Sequence, residues 1–111
     1  MATQDSIAEY LVEQVSQAGV VRIRKMFGEY ALYCDDKVVA LICDNRLFVK
    51  PTEAGAAYMG NAEKAQAYAG SSLFFVVEED RWDDRDWMSE LIRITASALP
   101  VPKAKKPKKK K

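Results

Sequence analysis

Residues 20 to 50 alternate short apolar runs with turn-forming residues, and this alternation constrains the fold more than any other feature of the sequence. In the first run, Val21 and Ile23 alternate with Arg22 and Arg24, which is typical of a strand with one buried face. Glycine, aspartate and asparagine between the runs favour tight turns. The pattern predicts a meander of antiparallel strands at 20–26, 30–34, 38–43 and 47–50.

Helical periodicity predicts three helices around the meander. Ser6 and Glu9 have the spacing of a capping box at the start of the first helix. Thr52 is a suitable N-cap for the second helix. The predicted helices cover residues 6–18, 52–60 and, after a cap at Asp83 or Asp84, the segment up to Leu99.

A fifth strand is predicted at 73–77, where five apolar residues follow one another, and residues 61–70 are expected to form an irregular connection. This order favours an α+β fold with two layers, in which the helices pack on one face of an antiparallel sheet. Several strands are apolar on both faces, so we also expect a homodimer through the sheet surface.

The composition excludes most catalytic chemistry, because the chain contains no histidine and two cysteines. Serine–histidine, cysteine–histidine and histidine–metal sites are therefore ruled out. A turn centred on Asp36 and Lys37 would place Cys34 opposite Val39, far from Cys43. We predict two free thiols that are buried or half-buried, no catalytic or metal-binding residue, no cofactor and no enzymatic activity.

The last twelve residues differ in character from the rest. Seven of the seventeen lysines and arginines lie there, so ten basic and sixteen acidic residues remain in 1–99, a net charge of −6. Proline and lysine without apolar neighbours predict a folded domain at 1–99 and a disordered tail at 100–111. The tail could attract nucleic acid non-specifically or only keep the domain soluble. Its lysines are Lys103, Lys105, Lys106, Lys108, Lys109, Lys110 and Lys111.

Two charged groups in the domain allow two interpretations each. Arg22 and Arg24 share one strand face, where they could contact a small anion or nucleic acid, or protect a sheet edge from aggregation. The acids between Glu78 and Asp86 could form a cation site or a docking surface for a basic partner. A solvated turn and helix start is the favoured interpretation of those acids.

Neither end of the chain nor its interior predicts membrane association. No apolar run approaches the roughly 20 residues of a membrane span. The first residues lack the basic start and apolar stretch of a signal peptide. We therefore expect a cytoplasmic protein.

Residues 24–52, which read RKMFGEYALYCDDKVVALICDNRLFVKPT, resemble the N-terminal domain of the TfoX/Sxy family. That family shows a run like R-x-M-F-G-G-x-G-L-Y-x-D-G, followed by an apolar strand, a turn and a strand ending in lysine. Glu29 and Ala31 stand where glycines are common, and Lys37 replaces the turn glycine. The matching residues are Met26, Phe27, Gly28, Tyr30, Leu32, Tyr33, Asp44, Leu47 and Lys50.

The resemblance implies an α-β(3)-α-β(2)-α fold, so the order to be tested is α-β(3-4)-α-β(1-2)-α. It also implies a single-domain member of a family linked to natural competence, whose longer members are thought to act with the cyclic-AMP receptor protein. Read physically, the motif is mainly structural, with Met26, Phe27, Tyr30 and Leu32 suited to the core or to cross-strand pairs. Tyr33 and Phe48 are expected to be exposed enough to mark a partner surface.

Two functions follow from the sequence. The first is a non-enzymatic regulatory or adaptor protein that binds the transcription machinery or one of its regulators. The second is an accessory nucleic-acid-binding protein that acts through the lysine tail.

Overall fold

One antiparallel sheet of six strands organises the chain in the computed structural model, which describes residues 3–26 and 28–100. The spatial order is β1-β2-β3-β4-β6-β5, so β1 and β5 form the two edges. The strands are β1 (Val21–Met26), β2 (Glu29–Cys34), β3 (Lys37–Cys43), β4 (Arg46–Val49), β5 (Glu63–Gln66) and β6 (Leu73–Val77).

Three α-helices accompany the sheet within those ranges, together with short 3-10 turns at Ser16–Ala18 and Glu79–Arg81. None of these helices is long and apolar enough to cross a membrane. The helices are α1 (Asp5–Gln14), α2 (Glu53–Met59) and α3 (Arg85–Ala98).

The helices pack on one face of the sheet, which we call the helix-covered face. There Leu11 of α1 and Leu91 of α3 meet Leu32 and Leu47 of the sheet, and all four are fully buried. Burying a leucine side chain contributes about 1.5–3 kcal/mol, so this layer supplies the main driving force for folding. The predicted α+β fold with two layers is confirmed.

The opposite, helix-free face carries a smaller apolar cluster made of strand residues. It contains Cys43, Phe48, Phe74 and Val76, with Leu41 packed against it. Because side chains alternate along a strand, Phe48 lies on this face while its neighbours in β4 point to the helix-covered face. The sheet is therefore apolar on both sides.

The sheet contains one strand that the residue pattern did not predict. Residues 61–70 were expected to be irregular, but β5 lies within them and pairs with β6 along the outer edge. Its sequence Glu-Lys-Ala-Gln has no apolar alternation because only one side of the strand is paired, and most of its side chains face solvent. The observed order, four strands, a helix, two strands and a helix after α1, falls within the predicted range.

The predicted capping box of α1 is wrong. The helix begins at Asp5, and its N-cap Gln4 makes no side-chain capping hydrogen bond. Instead, the Gln4 backbone N–H donates to Oδ1 of Asn45 over 2.9 Å. A tertiary contact therefore fixes the helix start, and Ser6 lies inside the first turn. The regular helix also ends at Gln14, and a 3-10 turn continues it.

The β2–β3 turn is shifted by one residue from its predicted centre. Asp35 and Asp36 both have positive φ, 52° and 69°, and Cys34 pairs with Lys37 rather than with Val39. Two such residues suit the type I′ geometry of a two-residue hairpin. The β3–β4 turn at 44–45 was predicted in place and also has positive φ at both residues.

The cysteines are free and buried, as predicted. Cys34 lies in the helix-covered core, whereas Cys43 belongs to the cluster on the helix-free face. The sheet itself separates the two sulfur atoms, so a disulfide would require the sheet to open.

The caps predicted for α2 and α3 are confirmed. Thr52 Oγ1 accepts a hydrogen bond from the Gly55 N–H over 2.9 Å, and Asp84 Oδ1 accepts one from the Trp87 N–H over 3.1 Å. Each cap satisfies one of the free amides at a helix start.

Candidate protein-binding surface

The β1 edge, residues 20–26, is one of the two open edges of the six-stranded sheet. Arg22, Arg24 and Lys25 are exposed, whereas Val21 and Ile23 are half-buried against the helix-covered core. Only β2 flanks this strand, so its other side faces solvent. Long exposed edges pair readily with other chains, and charged side chains are one of the usual protections.

Two apolar side chains flank the cations of this edge. Val20, just before β1, is 72% exposed, and Met26 at its end is 40% exposed. Since alternate residues share a face, both lie on the same side of the strand as Arg22 and Arg24. The helix-free side of the edge therefore reads apolar, basic, basic, apolar.

The backbone of β1 also presents hydrogen-bonding groups to solvent. The Asp35 N–H donates to the Val20 carbonyl over 2.8 Å, which makes this a hydrogen-bonded pair. Such pairs alternate along an antiparallel ladder. The N–H and C=O groups of Val21, Ile23 and Lys25 are consequently directed away from β2.

Arg22 is held against the helix-free face by an aromatic ring. Its guanidinium carbon lies 4.2 Å from the centroid of the Tyr33 ring, and Tyr33 is the cross-strand partner of Arg22. The guanidinium also lies 3.7 Å from Oδ1 of Asp36. Cation–π contact orients the charge without removing it from solvent, so the guanidinium stays available to an anionic group.

Lys25 connects the edge to the start of α1. Its Nζ lies 3.6 Å from Oδ1 of Asp5, and the Tyr30 hydroxyl donates a hydrogen bond to the same carboxylate. The hydrogen bond and the lysine charge lower the pKa of Asp5. The same hydrogen bond is the main reason that the pKa of Tyr30 rises to about 12, and burial of the hydroxyl is the second cause.

The N-terminal segment is locked onto the turns beside this edge. Thr3 Oγ1 lies 2.6 Å from Oε1 of Glu29 and accepts a hydrogen bond from the Asn45 N–H over 3.2 Å. The same Glu29 oxygen accepts from the Asp44 N–H over 3.1 Å, and the Thr3 N–H donates to the Gly28 carbonyl. Glu29, which replaces a common family glycine, thus holds two turns and the N-terminal segment together.

The motif residues divide between core, turns and surface. Tyr30, Leu32 and Leu47 are buried, and Gly28 and Asp44 occupy turns with φ of 82° and 54°. Gly28 adopts this positive φ without strain because glycine has no Cβ, and aspartate tolerates positive φ better than most residues. Phe27 lies outside the described residues.

Among the side chains with an expected environment, Phe48 differs from expectation, whereas Met26 and Tyr33 do not. Met26 was expected in the core or in a cross-strand pair; it is exposed at the end of the edge strand and pairs there with Glu29 of β2. Phe48 was expected to be partly exposed but is 2% exposed, with the Arg46 guanidinium 5.2 Å from its ring centroid. Tyr33 is half-buried, as is the motif residue Lys50.

Of the residues predicted to contact nucleic acid, two lie within the described part of the chain. Arg22 and Arg24 lie together on the exposed β1 edge. The tail lysines lie outside the described residues. The sequence pattern missed Val20 and Met26 as surface residues, although the first strand of a meander is frequently an edge.

Three surface depressions lined by described residues are smaller than ordinary ligand pockets, and the described residues contain no cluster suited to a metal ion. Surface depressions have volumes of about 180, 230 and 240 Å³, against roughly 300–1,000 Å³ for ordinary ligand pockets. Their walls mix both charges, as in the one lined by Glu63, Glu78 and Arg81. Within 3–26 and 28–100, no group of three or more cysteine, aspartate or glutamate side chains could hold a metal.

Both cysteines have the properties of structural thiols. Burial is the main reason that both thiol pKa values are raised. The pKa of Cys34 lies above its ordinary value, and that of Cys43 rises to about 11. Nearby carboxylates add to the effect, those of Asp35 and Glu29 respectively. A reactive thiol requires the opposite, an exposed and electropositive setting.

Comparison with known proteins agrees with the motif. The chain is 44% identical over 110 residues to an uncharacterized 12.7 kDa protein in the trpE 5′ region of Spirochaeta aurantia, covering 99% of this chain and 95% of the relative. The family model described as the TfoX N-terminal domain matches residues 13–99, which include every strand, α2, α3 and the β1 edge. The chain therefore belongs to the TfoX N-terminal domain family.

Proposed function

We propose that this protein is a cytoplasmic, non-enzymatic regulatory adaptor that acts by binding a protein partner, either a component of the transcription machinery or one of its regulators. The observation that carries the proposal is the β1 edge, where Arg22 and Arg24 stand between the exposed apolar residues Val20 and Met26. Exposed apolar groups beside arginine are typical of protein interfaces.

Membership of the TfoX N-terminal domain family supports a small regulatory protein of the competence type. The chemistry of the chain agrees with a role in binding. It has no histidine, and its two cysteines are buried. A binding role requires neither a histidine nor an exposed cysteine.

The net charge of −6 in residues 1–99 argues against non-specific binding of nucleic acid by the domain as a whole. Arg22 and Arg24 are local exceptions on an acidic body. In a protein contact at this edge, the two arginines would act on groups only a few ångströms away. The more distant acids of the domain are screened by salt and weaken this attraction less.

The test compares transcripts in cells that lack the gene with those in cells that carry it again. Deletion should change the transcript levels of a defined set of genes, and the natural sequence should restore them. The double variant Arg22→Glu, Arg24→Glu should fail to restore them although it accumulates normally. Lys64→Glu, on the opposite edge strand β5, is the matched control and should restore them. Unchanged transcripts after deletion would reject the regulatory role.

The lysine tail supports a second candidate, an accessory protein that binds nucleic acid without sequence preference. The affinity of the full chain for DNA should fall steeply with salt. The logarithm of the binding constant should decrease with the logarithm of the salt concentration with a slope of roughly −0.7 to −0.9 per neutralised phosphate. The comparison is between the full chain and a version ending at residue 99. Equal binding by both, or binding that is independent of salt, would reject this candidate.

A further inference from the structure

The two edges of the sheet differ in what they can receive. β5 has four residues and contains both charges, whereas β1 has six residues and carries three cations without an acid. The outward N–H and C=O groups of Val21, Ile23 and Lys25 could pair with the backbone of an added strand. The question is which strand chemistry fits.

We propose that the β1 edge receives an extended acidic segment of the partner protein, an inference that rests on the protein-binding role proposed above. On the helix-free side, an added strand would face Val20, Arg22, Arg24 and Met26 in turn. Directly opposed residues of opposite charge stabilise a strand pair. The fitting segment therefore has two acids, two positions apart, between apolar residues.

The other side of the added strand would face Val21 and Ile23. Both are half-buried and already pack against the core, so they extend its apolar surface to the edge. Alternate residues of the segment should consequently be β-branched, such as valine or threonine. The full pattern is apolar and acidic on one side and β-branched on the other.

A second copy of this chain fits the middle of the same edge poorly. A two-fold axis perpendicular to the sheet pairs residues that share a face. When such a pairing is centred on Arg22, Ile23 or Arg24, an arginine falls directly opposite an arginine each time. Like charges directly opposite each other are destabilising, so these central pairings of two copies are disfavoured and an acidic strand fits better.

The existing ion pairs leave the central cation available. Arg22 and Lys25 lie 3.7 Å and 3.6 Å from exposed carboxylates of Asp36 and Asp5. Exposed pairs of this kind are held weakly. Within the described residues, Arg24 forms no ion pair, and it lies in the middle of the edge. An incoming carboxylate would therefore meet Arg24 without displacing another.

The experiment uses the full chain and two labelled synthetic peptides. The acidic peptide contains Val-Thr-Glu-Val-Asp-Thr-Leu, and the basic control has lysine at both acidic positions. Fluorescence anisotropy should show that the acidic peptide binds about tenfold more tightly, as expected for two exposed ion pairs made instead of two repulsions. Hydrogen exchange should slow at the outward amides of Val21, Ile23 and Lys25.

Charge reversal then tests whether the edge itself selects the peptide. The double variant Arg22→Glu, Arg24→Glu should prefer the basic peptide, whereas Lys64→Glu should keep the natural preference. Because these side chains are exposed, the variants should fold normally, which circular dichroism checks. Absent binding, equal binding of the two peptides, or protection elsewhere without protection at β1 would overturn the inference.

The outcome separates this inference from the proposed function. If deletion of the gene changes transcripts but neither peptide binds at β1, the regulatory role stands and the acidic-strand inference falls. If the acidic peptide binds at β1 but deletion changes no transcript, the edge is a strand-binding surface and the regulatory role falls.

Discussion

Replacing Lys37 with methionine should destabilise the fold through α3, although Lys37 follows a turn in the sheet. Its Nζ donates hydrogen bonds to the carbonyl oxygens of Ala96 and Leu99, over 2.8 and 3.0 Å. The last carbonyls of a helix have no partner within the helix, and its C-terminal end attracts a cation. Methionine keeps the unbranched stem but removes the charge and the donors.

The size of the effect follows from these contacts. Hydrogen bonds to charged groups contribute roughly 1.5–3 kcal/mol each, and water can replace part of that here because Lys37 is half-buried. Adding the interaction with the helix end, we expect the free energy of unfolding to fall by about 2–3 kcal/mol in Lys37→Met. Lys37→Arg keeps the charge and should lose less.

Urea unfolding of the full chain, followed by circular dichroism, measures this difference. Lys25→Met is the matched control, because Lys25 also lies in a strand but contacts a carboxylate at 3.6 Å that is largely exposed. The control should change the free energy of unfolding much less. Equal effects of the two substitutions, or no effect of Lys37→Met, would refute the conclusion that Lys37 stabilises the C-terminal end of α3.

Three further predictions follow from the buried and hydrogen-bonded groups. Glu29→Ala should lower the free energy of unfolding by about 1–3 kcal/mol, because two donors lose their acceptor; an unchanged urea midpoint would contradict this. Cys34 and Cys43 should react with Ellman's reagent only after unfolding, since both are buried and have raised pKa values; rapid reaction of the folded protein would disprove it. Ultraviolet titration should find the pKa of Tyr30 at about 12 in the folded protein and lower in Asp5→Asn, which removes the charged acceptor. Because the pKa of Tyr30 in the folded protein exceeds the ordinary value of 10, the hydrogen bond from Tyr30 to Asp5 stabilises the fold fully below pH 10. This contribution to the free energy of unfolding is lost as the pH rises through about 12. The pKa of Asp5 is lowered, so its contribution is present above its ordinary value of 3.8 and disappears as the pH falls further.

Local patterns were sufficient to predict most elements of the fold. The β1–β4 meander follows from alternation and turn residues, and the caps of α2 and α3 follow from Thr52 and Asp84. In each case the signal and the structure involve residues close in the chain. β5 carries no such signal, because an exposed edge strand needs few apolar residues and is defined by its pairing with β6.

Contacts between distant residues account for the rest. Lys37 was predicted to be a turn residue, and its capping role depends on carbonyls about 60 positions away. The start of α1 is set by Asn45, not by Ser6. Phe48 is buried because the helix-free face has its own apolar cluster and Arg46 lies over the ring. No local pattern contains this information.

The most direct test of the protein-binding role is photo-crosslinking at the β1 edge in living cells. A benzophenone amino acid is placed at position 24 in one variant of the full chain and at position 64 of β5 in another. The protein-binding role predicts a discrete adduct with another protein from position 24, lost when Arg22→Glu is added, and no such adduct from position 64. Absence of an adduct at position 24, or the same adducts from both positions, would contradict it.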